Sequence, residues 1–499
     1  MPASKPRVFN IPASAPFLPV LVGALLKGEL VKGFPAGGDP LALAQATLYL
    51  PTRRACRLAR EQFLQVTGGN AAILPRIVAI GDIDEDELIF ADAATGALAQ
   101  AALDLPNTIA PLERRLLLAS LIAKWAASRD LHGARGTPLV ANTPASALAL
   151  ADDLARLMDD MTTRGVGWDK FNKLVPDDLD QFWKLSFDFL QIVGAQWSAY
   201  LDEAGLIEPA ARRDRLIEAE TQRLQKSSGP VIAAGSTGSM PATAKLLATI
   251  ATLPRGAVVL PGLDMDLDDA SWNMIAHDET PAIGHPQFAM QTLLARLELP
   301  RSAVTMLAPS GAREALVSEA LRPAATTELW QKRLRDKGFS QHAEAAMAGL
   351  AVIEAANAEE EALAIAVALR EAADTPGKTA ALVTPDRALA RRVLAALERW
   401  SVAIDDSGGD ALADTPAGVF ARLAAQAALG GLEPVTLLAL LKHPLFRLDA
   451  EANAHRRAIA ALERLILRGP RPKPGSAGLA HALTSFEATR DTVRSTDQR

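Results

Sequence analysis

The chain contains one cysteine, Cys56, two tyrosines and few aromatic residues of any kind, 5 % of the total. A lone cysteine excludes an internal disulfide framework, and it excludes a four-cysteine zinc or iron–sulfur site within these residues. Scarce aromatics give no compositional sign of a platform on which single-stranded bases would stack. Basic charge is not in excess either: 52 Lys and Arg stand against 58 Asp and Glu, for a net charge of −6. A small module that coats nucleic acid is usually basic. A large machine can be acidic overall and still line one channel with Arg and Lys, because phosphate contacts depend on local charge. No apolar run in the sequence reaches the ~18–20 residues that span a bilayer. Residues 1–10 carry Lys5 and Arg7 but no apolar region beside a small-residue cleavage site. The expectation is therefore an unprocessed, cytoplasmic chain without a membrane partner.

What the chain does contain is length and alternation. Its 499 residues, 49 % hydrophobic and 22 % charged, suit a globular protein of several domains at roughly 100–200 residues each. Residues 7–12 (RVFNIP), 46–51 (ATLYLP) and 73–81 (ILPRIVAIG) read as strands, with helices predicted over 17–26 and 53–67. Thr52 is placed to cap the second helix. Strand, helix, strand at this spacing favours a parallel sheet with crossover helices. From Pro111, a good first helical residue, the period changes to 3.6. Three stripes follow: Leu112, Leu116, Leu121 and Trp125; Ala147, Leu150, Leu154, Leu157 and Met161; Leu185, Phe189, Ile192, Val193 and Trp197. Trp125, Trp183 and Trp197 are expected to be core residues.

Strand signals return at 231–234 (VIAA) and 257–261 (AVVLP), with a helix over 241–252 between them. A second α/β pattern follows: strands at 351–355 (AVIEA) and 380–384 (AALVT), helices over 359–373 and 387–400. Helices dominate from Pro416, and the stretch after Gly469 is Pro/Gly-rich with no completed element expected. The reading is an α/β core over 1–110 resumed over 229–348, an all-helical insertion over 111–228, a second α/β core over 349–430, and a second helical segment over 431–499. No internal repeat of fixed period is evident. That order is the layout of a superfamily 1 helicase: two RecA-like, parallel-sheet domains with helical insertions.

The segments LYLPTRRACRLAREQF at 48–63, VIAAGSTGSMPATAKLL at 231–247, RGAVVLPGLDMDLDDASW at 255–272 and ALVTPDRALARRVLAAL at 381–397 carry a closer likeness. With FNIPASAPFLPVL, ILPRIVAIGDIDEDEL, DDSGGDALADTPAG and LLALLKHPL in the expected order, the chain resembles the N-terminal half of AddB proteins of the alphaproteobacterial type. The resemblance implies a subunit of a helicase–nuclease that processes DNA double-strand breaks for recombination. It also implies an AddA-like partner holding ATP and magnesium, and DNA ends and single-stranded DNA as substrates. Family members are about twice this length, and the iron–sulfur cluster is expected in their second half. The chain is thus expected to be a fragment or the product of a truncated gene, with no cofactor of its own.

A phosphate-binding loop needs G-x-x-x-x-G-K-S/T between a strand and a helix, so that backbone N–H groups wrap the phosphates and Lys neutralises them. Here the slot is Ile11-Pro12-Ala13-Ser14-Ala15-Pro16. It has neither Gly nor Lys, and its prolines lack the N–H donors. The acidic residue that would hold a metal at the end of the VIAA strand is Ala234. Ala13, Ser14 and Ala234 therefore mark a degenerate ATP site, and the chain is expected to lack a motor. Gly377-Lys378-Thr379 spells the end of such a loop, but Ala372 stands where its first Gly should be; it reads as a turn.

Arg53, Arg54, Arg57 and Arg60 crowd the start of one helix, with Arg53, Arg57 and Arg60 on one face. The resemblance implies that this strand–helix junction touches the single-stranded backbone, with Thr52, Arg53, Arg54 and Arg57 as contacts. The bland alternative is a solvated basic face. Thr384, Arg387, Arg391 and Arg392 repeat the design in the second core, and Gly235, Ser236 and Thr237 offer small side chains at a strand end. Asp82, Asp84, Glu85, Asp86 and Glu87 read as a solvated loop or helix cap. Asp264, Asp266, Asp268 and Asp269 imitate a calcium loop, but Asp269 and Ile275 replace the required Gly and Glu. His443 reads as structural, and no Ser–His–Asp or Cys–His set is evident. The competing readings are an active ATP-dependent helicase with an atypical nucleotide site, and an assembly protein that never meets DNA.

Overall fold

Val8 and Phe9 are neighbours on one strand, yet each is buried in a different apolar cluster. That period-two alternation requires a sheet covered on both faces. The computed structural model describes residues 5–35, 41–66, 73–80, 105–128, 143–168, 170, 181–277, 281–409, 411–447 and 452–497. The chain forms two compact units, Met1–Leu350 and Ala351–Arg499.

In chain order the first unit opens with β1 (Val8–Ile11), α1 (Phe17–Leu26), β2 (Thr47–Leu50), α2 (Arg53–Val66), β3 (Arg76–Ala79) and β4 (Asn107–Thr108). Helices α3 (Pro111–Ser128), α4 (Pro144–Arg164) and α5 (Gln181–Ala204) follow, then β5 (Leu206–Ile207) and α6 (Pro209–Leu224). The core resumes with β6 (Val231–Ala234), α7 (Pro241–Thr252), β7 (Gly256–Pro261), α8 (Asp269–Met274), α9 (Phe288–Arg296) and β8 (Thr305–Met306). Helices α10 (Ala312–Ala320), α11 (Trp330–Leu334) and α12 (Lys337–Met347) close the unit.

Six strands form one sheet in the order β3-β2-β6-β7-β1-β8, and every pairing is parallel. The expected α/β fold is thus observed. Val8, Leu48 and Val231 lie in this one sheet, with β2 beside β6 and β7 between β6 and β1. Ile11, Leu48, Leu50, Ile232 and Val259 pack on one face with α1 and α2. Tyr49, Val231, Ala233, Val258 and Leu260 pack on the other with residues of α6, α7 and α9. The central strands β6 and β7 are apolar throughout because both faces of the sheet are covered.

Two buried polar devices lock this core. Asn10, 0 % exposed, donates from Nδ2 to the carbonyl of Leu263 (3.0 Å) and accepts the Leu263 N–H (2.8 Å). A side-chain amide thereby satisfies both backbone groups of a loop residue that no strand pairs. The hydroxyl of Tyr49 on β2 donates to Glu220 of α6. Arg223 completes the set, with Nε 2.7 Å and Nη2 2.8 Å from the Glu220 oxygens.

The helical insertion leaves and re-enters the core through β4 and β5, a two-stranded parallel pair. Its core joins Leu118, Ile122, Ala151, Leu154, Val193 and Trp197. Arg114 grips Asp159 in two parallel hydrogen bonds of 2.9 and 3.0 Å. The first stripe is corrected at its start, whereas the second stands at Ala147, Leu154 and Met161, all buried. Leu112 is 66 % exposed and Leu116 is also exposed, whereas Leu118, Ile122 and Trp125 are buried. On α4, Ala151 and Met158 are buried while Leu150 is exposed. Leucines on several faces of α3 leave its buried face ambiguous by periodicity alone. The side chains of Leu185, Ile192 and Trp183 lie outside the described residues.

The second unit contains α13 (Ala358–Ala373), α14 (Arg387–Glu398), α15 (Pro416–Leu429), α16 (Pro434–Leu441), α17 (Ala452–Leu462) and α18 (Gly475–Asp497). Helix α18 corrects the expectation of no completed element after Gly469. Residues 351–355 and 380–384, expected as strands of a second α/β core, form no strand and pair in no sheet among the described residues. Val352 is 89 % and Val383 is 93 % exposed. Helices α13 and α14 pack through Ala362, Ala366, Val393 and Leu397, while Leu437, Ile466 and Leu467 form a separate small core.

Candidate functional site

Strands β2, β6, β7 and β1 run side by side and parallel, so their carboxyl ends share one edge of the sheet. Open parallel sheets present ligand sites at that edge. Thr52, Gly235–Gly238, Gly262–Asp264 and Pro12–Ser14 follow these four strands in the order given.

At the end of β2, Thr52 Oγ1 accepts the N–H of Ala55 at 3.1 Å, which confirms the cap expected for α2. Arg53 and Arg57 are exposed and Arg54 is half-buried. Arg60 lies a further turn along, where Nη2 is 3.5 Å from the Ile77 carbonyl. Beside them, Gly235 has φ 81°, and a Cβ there would meet Pro51 at 3.3 Å and Phe17 at 3.4 Å. Only glycine fits this close approach of the β6 turn to the β2 end. Ser236 Oγ accepts the Gly238 N–H at 3.4 Å, and Ser236 and Thr237 are half-buried. The fold thus brings Pro51, at the end of β2, against Gly235, at the end of β6, because the two strands pair. Thr52 and the start of α2 follow directly from that junction.

At the end of β1 the loop turns back on itself, with Ala15 N–H donating to the Pro12 carbonyl at 3.1 Å. The Ser14 N–H is taken: it donates to Glu314 Oε1 at 2.6 Å. The Ser14 hydroxyl also hydrogen-bonds Glu314. The second oxygen, Oε2, accepts the Gly311 N–H at 2.8 Å. Glu314 is the third residue of α10, so one carboxylate both accepts the N–H of that helix's N-cap residue and holds the β1 loop. Burial would raise its pKa, but these hydrogen bonds outweigh it and hold the carboxyl below the usual range. Ala234 is buried at the end of β6 and presents only a methyl group. Sequence reasoning missed Glu314. The Gly311-to-Glu314 spacing announces a helix start, but nothing local reveals a contact across 300 residues.

Next to Glu314 lies a cavity of ≈ 710 Å³, whose lining includes Ala13, Ser14, Asp264, Asp266 and Glu314. Burial, then repulsion from Asp264 and Glu314, raises the Asp266 carboxyl above its ordinary value. The aspartate run behaves as local structure. Asp264 Oδ1 accepts the N–H groups of Asp266 (2.8 Å) and Leu267 (3.0 Å). Asp268 caps α8 through Ser271 at 2.9 Å, and Asp269 pairs with Arg301 at 2.9 Å. Among the described residues no group of three or more His, Cys, Asp or Glu is arranged to hold a metal ion. Asp82, Asp84, Glu85, Asp86 and Glu87 lie outside the described residues.

In the second unit, Arg387 is held by its own domain. Its guanidinium meets Asp406 at 2.7 and 3.1 Å and the Gly409 carbonyl at 2.8 Å. Thr384 Oγ1 accepts the Asp386 N–H at 3.0 Å, and Asp386 caps α14 through Ala388 at 2.7 Å. Arg391 and Arg392 form longer pairs, 3.5 Å to Asp414 and 3.8 Å to Glu359. Gly377-Lys378-Thr379 is a turn, with Gly377 at φ 77° and Lys378 N–H on the Thr375 carbonyl at 3.1 Å. His443 Nδ1 accepts the Leu445 N–H at 3.2 Å, and its ring lies 5.5 Å from that of Phe420, a structural setting. No helix among the described residues is long and apolar enough to cross a membrane. The chain matches no model of a known protein family and no curated protein.

Proposed function

We propose that this chain is a non-motor part of an AddAB-type helicase–nuclease, serving as scaffold and guide for a DNA strand during double-strand break repair. The observation that carries the reading is the polarity of one sheet edge. At the β2–β6 side, the helix that carries Arg53, Arg54 and Arg57 starts just after Pro51, which packs on the Gly235 turn, a setting suited to a phosphate backbone. At the β1–β7 side, the loop that would hold a nucleotide phosphate has no Lys and already binds a carboxylate of its own chain. The sheet interrupted by a helical insertion between β3 and β6 supports the first half of the layout that the resemblance implies. In this reading ATP and magnesium belong to an AddA-like partner, and an iron–sulfur cluster belongs to sequence beyond these residues.

The test is single-stranded oligonucleotide binding by fluorescence anisotropy across a salt series. Reversal of Arg53 and Arg54 to Glu is expected to weaken binding at least tenfold. Each lost phosphate contact on a single strand lowers the log–log salt slope by ~0.7, so the pair should lower it by about 1.4. Unchanged affinity and slope would favour a protein that only supports its partner.

A further inference from the structure

The chain has a net charge of −6, yet residues 452–473 hold six Lys or Arg against a single acid, Glu463. Helix α17 (Ala452–Leu462) runs directly into a π-helical turn, Glu463–Leu467. Arg464 and Arg468 follow Arg457 by seven and eleven residues, about two and three turns, so they return to its side of the helix, with Arg456 adjoining. All four arginines are exposed, while Ile459, Ile466 and Leu467 are buried. From Arg456 to Arg468 the row is ~18 Å long at 1.5 Å per residue.

The one acid does not neutralise this face. Glu463 is buried and already accepts from Lys442 Nζ at 2.5 Å and Arg468 Nη2 at 2.6 Å. No Asp or Glu stands three or four residues from Arg456, Arg457 or Arg464, so the helix offers them no pair. These three and Lys473 have no hydrogen-bond or ion-pair partner among the described residues. Elsewhere in the same unit Arg370, Arg387, Arg391 and Arg392 each meet a carboxylate.

A row of unpaired guanidinium groups calls for a polyanion. Residues 452–473 contain no Phe, Tyr or Trp on which single-stranded bases could stack. Leu465 is their only exposed large apolar side chain, so the face lacks the apolar centre of a protein interface. A duplex needs neither, and it presents one phosphate charge per about 1.7 Å of its axis. We propose that this face of α17 and its π-helical turn binds the phosphate backbone of double-stranded DNA without reading its sequence, through Arg456, Arg457 and Arg464. The inference rests on the reading of the chain as a DNA-strand guide and adds a duplex contact in the second unit.

The experiment is fluorescence anisotropy on the full chain with a short blunt duplex of mixed sequence across a salt series. Arg456→Gln, Arg457→Gln and Arg464→Gln together are expected to weaken duplex binding at least tenfold at low salt, with circular dichroism unchanged. At ~0.9 per phosphate contact, the triple variant should lower the log–log salt slope by about 2.7 and Arg464→Gln alone by about 0.9. Single-strand affinity should change less than twofold. Unchanged duplex affinity and slope overturn this inference; the strand-guide reading then stands or falls on Arg53 and Arg54 with single strands. Equal losses on duplex and single strand overturn the duplex assignment. Polyglutamate that displaces the duplex as well as unlabelled duplex does overturns it in favour of an acidic protein partner. A parent chain that binds neither form of DNA overturns both readings together.

Discussion

The backbone N–H of Ser14 donates to the carboxylate of Glu314 across 2.6 Å, so the loop after β1 is tied to the first turn of α10 by an anion from the same chain. The bond is charge-assisted, and Gly311 shares the same carboxylate. Removing the charge should therefore loosen both the loop and the helix cap.

Glu314→Gln keeps the shape and removes the charge. The folded-state pKa of Glu314 is lowered, so its stabilisation is present above the unfolded carboxyl value and fades as pH falls through the folded one. Scanning calorimetry should show the variant melting a few degrees below the parent at pH 6, with the two converging in acid. A gap that persists unchanged at pH 3 contradicts the electrostatic account of this contact.

Tyr49 is fully buried against Glu220, and its hydroxyl pKa lies well above the ordinary phenol value, first through burial and then through the Glu220 charge. A raised folded pKa means that the stabilisation is complete below about pH 10, the usual tyrosine value, and declines as pH rises further. In a Tyr200→Phe background, Tyr49 is the chain's sole tyrosine. Tyrosinate absorbance is then expected only together with loss of circular dichroism. Ionisation before unfolding would show that the hydroxyl is open to solvent.

Asn10→Leu removes the only side chain that pairs both backbone groups of Leu263 among the described residues. Two buried backbone groups left without partners cost about 2–5 kcal/mol. Urea unfolding should register that loss in the first unit. A variant as stable as the parent would mean that the loop finds other partners.

Much of the first unit is legible in the sequence because its signals are local and agree. Buried strands such as VIAA are short apolar runs between turn residues, and Pro111, Pro241 and Thr52 mark helix starts by their own chemistry. The neighbour relation of Pro51 to Gly235 is not local; it follows from β2 pairing with β6 across the helical insertion. The same limit explains residues 351–355 and 380–384. Apolar runs predict extended backbone, whereas strand pairing depends on what lies alongside. Arg387 shows it at a site residue: a helix-opening arginine looks the same in sequence whether it awaits phosphate or already holds Asp406.

That commitment gives Arg387 a testable role. Arg387→Ala should destabilise the second unit by roughly 1–2 kcal/mol, since a partly buried bidentate pair exceeds an exposed one. Single-strand affinity should change less than twofold. A large loss of affinity at unchanged stability would assign Arg387 to DNA.

The central claim is that the loop after β1 no longer grips a nucleotide, and equilibrium binding of a fluorescent ATP analogue tests it most directly. With magnesium and single-stranded DNA present, the account predicts no saturable signal up to millimolar analogue. Saturable micromolar binding that is weakened by bulky substitution at Ala13 or Ser14 would contradict it.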